Sequence, residues 1–239
     1  MNVLAIGNDF SKDATRYLHQ IAVNDGCDMT VVNLNAYQCS LSEHYRNNLI
    51  DVKAYTLEYN GKSTGFKTSI KEALLSRDWD VVVLQQLSSQ SFDYETFQPY
   101  LDNLAKNIRK YSPKCDIVLH QTWAYEQGCK YLGDVGYHDK FQMSMDVKDA
   151  YEKASKDISA DKIIPSGEFF HRMEAQGAEM YRDGKHASFG VGRYGLGLLW
   201  YACLTGKSVA KNTFSKFDEP ISYSDVDVAK RCEDDLRDY

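Results

Sequence analysis

The chain has 239 residues, of which 43% are hydrophobic and 26% charged, a composition typical of one globular domain with its own core. Its formal net charge of −6 argues against a nucleic-acid or anionic-membrane partner, because both favour a basic surface. No apolar run approaches the length of a membrane span, and the N-terminus lacks the features of a secretory signal. If Met1 is the natural start, we expect a cytoplasmic protein.

Short β-branched runs alternate with amphipathic segments along the chain, which predicts β-α-β units and a parallel sheet. The predicted strands are residues 3–6, 29–34, 80–85, 115–120 and 162–164, and the predicted helices are residues 10–23, 69–76, 94–111, 141–158, 167–176 and 189–204. Residues 35–64 are predicted to be irregular, with a small two-stranded flap whose tip is Asn60-Gly61. The acid-rich stretch from Asp225 to Asp238 is predicted to be a solvated surface helix or tail.

No repeat or linker interrupts this pattern, so we predict a single domain over residues 1–239. Its expected architecture is a three-layer α/β/α sandwich around a parallel sheet of about five strands. The six cysteines are scattered without metal-ligand spacing, and we expect reduced thiols, with Cys39 the one that lies near a predicted site. The sequence indicates no metal site and no cofactor, and it leaves a homo-oligomer open.

Ligands of open α/β sheets bind outside the carboxyl ends of the strands, and two such places carry chemistry. The first is the turn from Gly7 to Ser11, where Asp9 faces the free N–H groups of a helix N-terminus, unless it only caps that helix. The second is Asp183-Gly184-Lys185-His186. An aspartate three residues before a histidine on a turn can fix the imidazole tautomer and stabilise the imidazolium, as a general base requires.

Together with other blocks, these two stretches resemble the SGNH (GDSL-like) hydrolases over nearly the whole chain. The chain looks closest to a bacterial subfamily of unknown function whose first block reads G-N-S-F-S. The matching stretches are residues 4–11, 39–41, 84–86, 120–125, 164–167, 182–186, 192–194 and 200–201. The resemblance implies a flavodoxin-like fold and hydrolysis of esters, commonly O-acyl groups of carbohydrates or small acyl esters.

Each site residue takes its expected role from this resemblance. His186 would be the general base and Asp183 its orienting acid. The oxyanion hole would combine backbone N–H groups at the nucleophile and near Gln38, where many members have glycine, with a side-chain amide from Gln86 or, second, Gln90. Trp123 and Tyr125 would floor a sugar-binding pocket by stacking, while His120 is expected to be hydrogen-bonded packing.

Asp9 stands where the family has its serine nucleophile, and three hypotheses follow. Asp9 makes the site silent, because a carboxylate gives an anhydride with an ester and repels the developing oxyanion. Alternatively, Asp9 is a nucleophile toward a sugar carbon or a phosphoryl group, or a general base for water with His186 as acid. Ser11 is a weak substitute nucleophile. The competing functions are a non-catalytic carbohydrate-binding protein with the same cleft, and an interaction protein that uses the acidic C-terminus.

Overall fold

A computed structural model describes residues 1–234 and 236–237, and a seven-stranded sheet is its centre. The strands are β1 Asn2–Gly7, β2 Thr30–Asn35, β3 Tyr55–Tyr59, β4 Lys62–Thr68, β5 Val81–Leu84, β6 Asp116–Gln121 and β7 Lys162–Pro165, in the order β4-β3-β2-β1-β5-β6-β7. The pairs within β2-β1-β5-β6-β7 are parallel, and β3 and β4 continue the sheet antiparallel. The predicted α/β class is confirmed, but the sheet has seven strands and not five.

The parallel strands are buried because helices cover both faces of the sheet. All four residues of β5 are buried, as are the last five of β1. The helices are α1 Asp9–Thr15, α2 Leu18–Asn24, α3 Leu41–Leu49, α4 Ile70–Leu75, α5 Tyr100–Tyr111, α6 Lys130–Asp134, α7 Lys140–Ile158, α8 Ser166–Ala175, α9 Val191–Thr205 and α10 Tyr223–Asp234. Helices α1, α2, α8, α9 and α10 pack together on one face, and α3, α4, α5 and α7 on the other.

The predicted two-stranded hairpin is present, but its strands extend the central sheet and do not form a separate flap. β3 pairs with β2 from Val32 opposite Tyr59 to Asn35 opposite Thr56, so the hairpin covers an edge that β2 would otherwise leave open. Its tip is at the predicted place, where Asn60 and Gly61 have φ angles of 51° and 79°, as a tight hairpin turn requires.

Three further regions differ from the prediction. The stretch predicted to be irregular contains α3, which begins with a capping box of Ser40 and Glu43. The predicted helix 10–23 is divided at Tyr17, whose hydroxyl donates to the Phe189 carbonyl. The predicted helix 94–111 is interrupted before α5 by Pro99, which has no N–H to donate within a helix.

The acid-rich C-terminal stretch forms α10, which packs on α9 and buries Val228 and Ala229. It is therefore a packed helix on the domain and not a solvated tail. Its predicted end, Asp238, lies outside the described residues. Within the described part of the chain, every helix is too short or too polar to cross a membrane.

Candidate active site

The turn after β1 presents Asp9 at the start of α1. Asn8 is the N-cap of this helix, since its side-chain oxygen accepts the N–H of Phe10 at 3.1 Å. Asp9 is the first helical residue and half-buried, so the alternative that it serves only as the cap is wrong. Gly7 is required here because a Cβ at this position would lie 2.6 Å from the Ser11 hydroxyl oxygen.

Ser11 is not placed to act as a nucleophile. Its side chain is buried, and its hydroxyl lies 2.9 Å from the Asn8 carbonyl oxygen and 2.8 Å from Oδ1 of Asn33, both of which accept. The hydroxyl proton is therefore used inside the domain, where it ties α1 to β2.

A buried chain of hydrogen bonds from the ends of β5 and β6 fixes the Asn8 side chain. Gln85 at the end of β5 donates its amide to Oδ1 of Asn8 at 2.7 Å, and His120 Nδ1 lies 3.0 Å from the Gln85 amide oxygen. Asn8 in turn donates to the Cys39 carbonyl at 3.1 Å. Burial lowers the pKa of His120 to about 3, so this ring is neutral and serves packing and hydrogen bonding.

Asp183 and His186 form the pair that the sequence spacing predicts. Oδ2 of Asp183 lies 2.7 Å from Nδ1 of His186, and Oδ1 accepts the backbone N–H groups of Lys185 and His186. Because a carboxylate only accepts, Nδ1 carries the proton and Nε2 faces away from the pair. Burial raises the pKa of Asp183, but the hydrogen bonds from His186 and Lys185 outweigh burial and bring this pKa below its usual range.

Backbone pairing and hydrogen bonds to two successive carbonyl groups, those of Gly184 and Lys185, hold the loop that carries this pair. A β-bridge between Tyr181 and Ala187 closes the loop at its base. The Glu126 N–H donates to the Gly184 carbonyl at 2.8 Å, and the indole N–H of Trp123 donates to the Lys185 carbonyl at 2.8 Å. These bonds fix the direction of the imidazole before any ligand binds.

Aromatic packing brings the loop and the Asp9 turn together. The Phe10 ring stacks on Trp123 at 4.3 Å between centroids and lies 5.7 Å from the His186 ring. Buried Asp13 of α1 strengthens this junction, since it accepts from Arg182 and from Arg193 at 2.8 Å each. The structure thus brings the Asp9 turn and the loop of Asp183 and His186 together through Phe10, while the catalytic roles of these residues stay a prediction.

Three predicted binding residues are used elsewhere. The Gln86 amide donates to the main chain and hydroxyl of Thr96, while its oxygen accepts the N–H groups of Leu41 and Leu87, so it has no donor left for an oxyanion. Trp123 is 0% exposed and Tyr125 3% exposed, so neither ring can floor a sugar pocket. The half-buried Gln90 has no side-chain hydrogen bond to another described residue, and it stays the candidate amide donor.

The family model described as a domain of unknown function, DUF4886, matches residues 2–235. The chain belongs to the DUF4886 family. A crystal structure of a DUF4886 family protein from Bacteroides uniformis is 31% identical with a TM-score of 0.93, and the match covers 100% of this chain and 95% of that one. A search of curated proteins finds no match.

More distant solved structures give the fold of this DUF4886 chain. A candidate SGNH hydrolase from Slackia heliotrinireducens has a TM-score of 0.60 at 24% identity, covering 84% of this chain and 97% of its own. A candidate GDSL-like lipase from Parabacteroides merdae has a TM-score of 0.54 at 13% identity, covering 83% and 93%. The DUF4886 fold is therefore that of the SGNH and GDSL-like hydrolases.

Gln38 has a left-handed backbone with a φ of 50°, in the loop after β2. A side chain in this conformation costs about 1–2 kcal/mol, and glycine, with its extra freedom in the unfolded chain, recovers only part of that. We expect Gln38→Gly to raise the free energy of unfolding by about 0.5–1 kcal/mol, because the exposed Gln38 side chain contributes little packing. The free energy of unfolding of the wild type and the variant is measured by urea titration. Gln38→Ala is the control and should give no gain; an equal gain from alanine would contradict this explanation.

Cys39, the cysteine expected near the site, is buried beside the buried His44, with 3.4 Å between Sγ and Nδ1. Burial raises the pKa of Cys39 to about 12 and lowers that of His44 to about 4. This DUF4886 chain therefore holds a neutral thiol here, which is a poor nucleophile. Among residues 1–234 and 236–237, no three histidine, cysteine or acidic side chains come together as metal ligands.

Proposed function

We propose that this chain carries the site of an SGNH-type ester hydrolase for O-acyl groups, mainly acetyl, of carbohydrates or small esters, and that Asp9 blocks its acyl transfer. The observation that carries the proposal is the Asp183–His186 pair, held at 2.7 Å and fixed by two backbone N–H groups. This arrangement suits a general base that takes a proton at Nε2, because the carboxylate stabilises the imidazolium that forms.

The roles follow from the geometry around the cleft. The free N–H groups at the start of α1 and the backbone near Gln38 would stabilise a tetrahedral oxyanion, with the Gln90 amide as the third donor. The exposed Tyr131 ring lies 4.8 Å from the ammonium of Lys185, the residue before His186, so an aromatic surface on which a sugar could stack lies at this rim. Tyr131 takes the stacking role that Trp123 and Tyr125 cannot take.

Asp9 works against this chemistry in two ways. Attack of its carboxylate on an ester would give an anhydride, a poor intermediate beside an acyl-serine. Its charge also occupies the helix N-terminus at which the oxyanion would form. In this proposal the chain binds acylated carbohydrate without converting it, in the reducing cytoplasm of a bacterium, where its scattered cysteines remain thiols.

A second candidate is chemistry by Asp9 itself. Within the described residues its side chain makes no hydrogen bond or ion pair, which leaves the carboxylate available to attack a sugar carbon or a phosphoryl group, or to activate water. His186 would then activate water to release the product or act as the acid.

The test assays the wild-type chain against chromogenic acetyl esters, glycosides and phosphate monoesters, and titrates it with an acetylated and a deacetylated xylo-oligosaccharide. We expect binding of the acetylated ligand in preference to its deacetylated control, with no turnover of any substrate. Hydrolysis of a glycoside or phosphate that is lost in Asp9→Asn and greatly reduced in His186→Ala would establish the second candidate. Rapid ester hydrolysis by the wild-type chain would contradict the blocking role of Asp9.

A further inference from the structure

A polar cavity opens beside the Asp9 turn, at the carboxyl end of β2. Its volume is about 400 Å³, within the range of pockets that hold a small ligand. The polar residues that line it come from the end of β2, from α3 and from the hairpin: Asn35, Glu43, Arg46, Asn47, Thr56 and Lys67.

The cavity shares its wall with the candidate active site. Its lining begins at Asn35, which is opposite Gly7 in the sheet, and the next residue, Ala36, donates its N–H to the Gly7 carbonyl at 3.1 Å. The Cys39 carbonyl on the same wall accepts the Asn8 side chain. A ligand in this cavity therefore lies beside the turn that carries Asp9.

The charge of the cavity is opposite to that of the chain. Two cationic side chains, Arg46 and Lys67, and one anionic side chain, Glu43, line it, whereas the whole chain has a net charge of −6. Glu43 is engaged at the start of α3, where its Oε2 accepts the Ser40 N–H at 2.8 Å. The cavity thus presents one net positive charge, which matches a monoanionic ligand.

Neither Arg46 nor Lys67 is paired with a carboxylate in the described part of the chain, so both can bind an anion. Lys67 donates to the Thr56 hydroxyl at 2.9 Å and to the Ala54 carbonyl at 3.4 Å, and neither partner carries charge. Arg46 is exposed, and no carboxylate in the described part of the chain pairs with its guanidinium. The buried side-chain oxygen of Asn35 also lacks a hydrogen-bond partner among the described residues, so it can accept from a sugar hydroxyl.

We propose that this cavity binds the carboxylate of an acidic sugar, with Arg46 and Lys67 as its partners. The guanidinium and the ammonium bind the carboxylate oxygens, while Asn35 and Asn47 bind neighbouring hydroxyl groups. The inference rests on the proposed function, and it narrows the substrate class to O-acylated carbohydrates that carry a uronic acid.

The test is an NMR titration of the full chain with methyl glucuronoside and with methyl glucoside, which differ only in the carboxylate. We expect the wild type to bind the glucuronoside about tenfold or more tightly, and Arg46→Gln or Lys67→Gln to remove most of that preference. Lys62→Gln, on the same strand as Lys67 but outside the cavity, is the matched control and should keep it. Raising the salt concentration should weaken glucuronoside binding and leave the glucoside unchanged.

Equal affinity for both sugars, or a preference retained in both cavity variants, overturns this inference. Tight binding of inorganic phosphate that competes with the glucuronoside also overturns it, because the cavity would then be a phosphate site. The titration needs no turnover, so its result is separate from that of the proposed function. A preference for the acidic sugar in a chain whose Asp9→Ser variant is inert contradicts the hydrolase proposal alone.

Discussion

Replacing Asp9 by serine is expected to raise kcat for a chromogenic acetyl ester by at least about a thousandfold, since loss of a triad nucleophile typically costs up to about a millionfold. Serine would place a hydroxyl at the start of α1, where Nε2 of His186 can take its proton and the helix N–H groups can stabilise the oxyanion. Steady-state hydrolysis by the two proteins, measured side by side, gives the ratio.

Three further variants separate the causes of this gain. Asp9→Asn removes the charge without supplying a nucleophile and should stay inert. In the Asp9→Ser background, His186→Ala should abolish the gain, and Asp183→Asn should remove most or all of it because the imidazole loses its orienting carboxylate. If the serine variant is as inert as the wild type, the acyl-transfer proposal fails. Activity that survives the loss of His186 would assign the base elsewhere.

On acidification from pH 7 to pH 4, two buried histidines are expected to contribute a loss of about 6 kcal/mol of stability, because they protonate more readily in the unfolded chain. Burial lowers the pKa of His44 to about 4 and that of His120 to about 3, below the 6.5 of an exposed histidine. Between these values the unfolded chain binds more protons than the folded one. Each histidine therefore removes about 1.4 kcal/mol of stability per pH unit as the pH falls below 6.5.

The measurement is the free energy of unfolding from urea titrations between pH 4 and pH 7. His120→Asn keeps an N–H for the Gln85 oxygen but cannot titrate, so the slope of this free energy against pH should fall by about 1.4 kcal/mol per pH unit, the share of one histidine. His138→Asn, at an exposed position, is the control and should keep the full slope. An unchanged slope in His120→Asn would show that His120 protonates within the fold. Burial raises the pKa of Asp13, which opposes this loss of stability, and the low pKa of Asp183 acts mainly below this window. Both groups are the same in the wild type and the variants, so the difference between their slopes belongs to the histidine.

Composition and periodicity were sufficient for the centre of the fold. β1, β5 and β6 are continuous apolar, β-branched runs, and α4 follows an evident cap at Ser69. Helix α3 was missed because only Leu41 and His44 of its nine residues are buried, so it has almost no apolar periodicity. The capping box of Ser40 and Glu43 was legible in the sequence and could have identified it.

The local part of the site was predictable and the long-range part was not. Asp183 and His186 are three residues apart on one turn, so their spacing determines their contact. Gln86, Trp123 and Tyr125 follow strands at the correct edge of the sheet, but their side chains are buried by elements distant in sequence. Gln85 lies in a stretch that matches the resembled family, but nothing in the sequence indicates that it supports the Asp9 turn through Asn8.

The residues proposed to bind the ligand and those proposed to carry the chemistry lie in different parts of the chain. Arg46 and Lys67 both lie in residues 36–68, which join β2 to α4 and add only an antiparallel border to the sheet. Asp9, Asp183 and His186 all lie outside that stretch. Relatives could therefore exchange residues 42–68, and with them the preferred ligand, while keeping the parallel core and the loop of Gln38, Cys39 and Leu41 that contacts the Asp9 turn and Gln86. Ligand preference and chemistry can diverge independently in such an architecture, and a chimaera that exchanges only residues 42–68 transfers the first without the second.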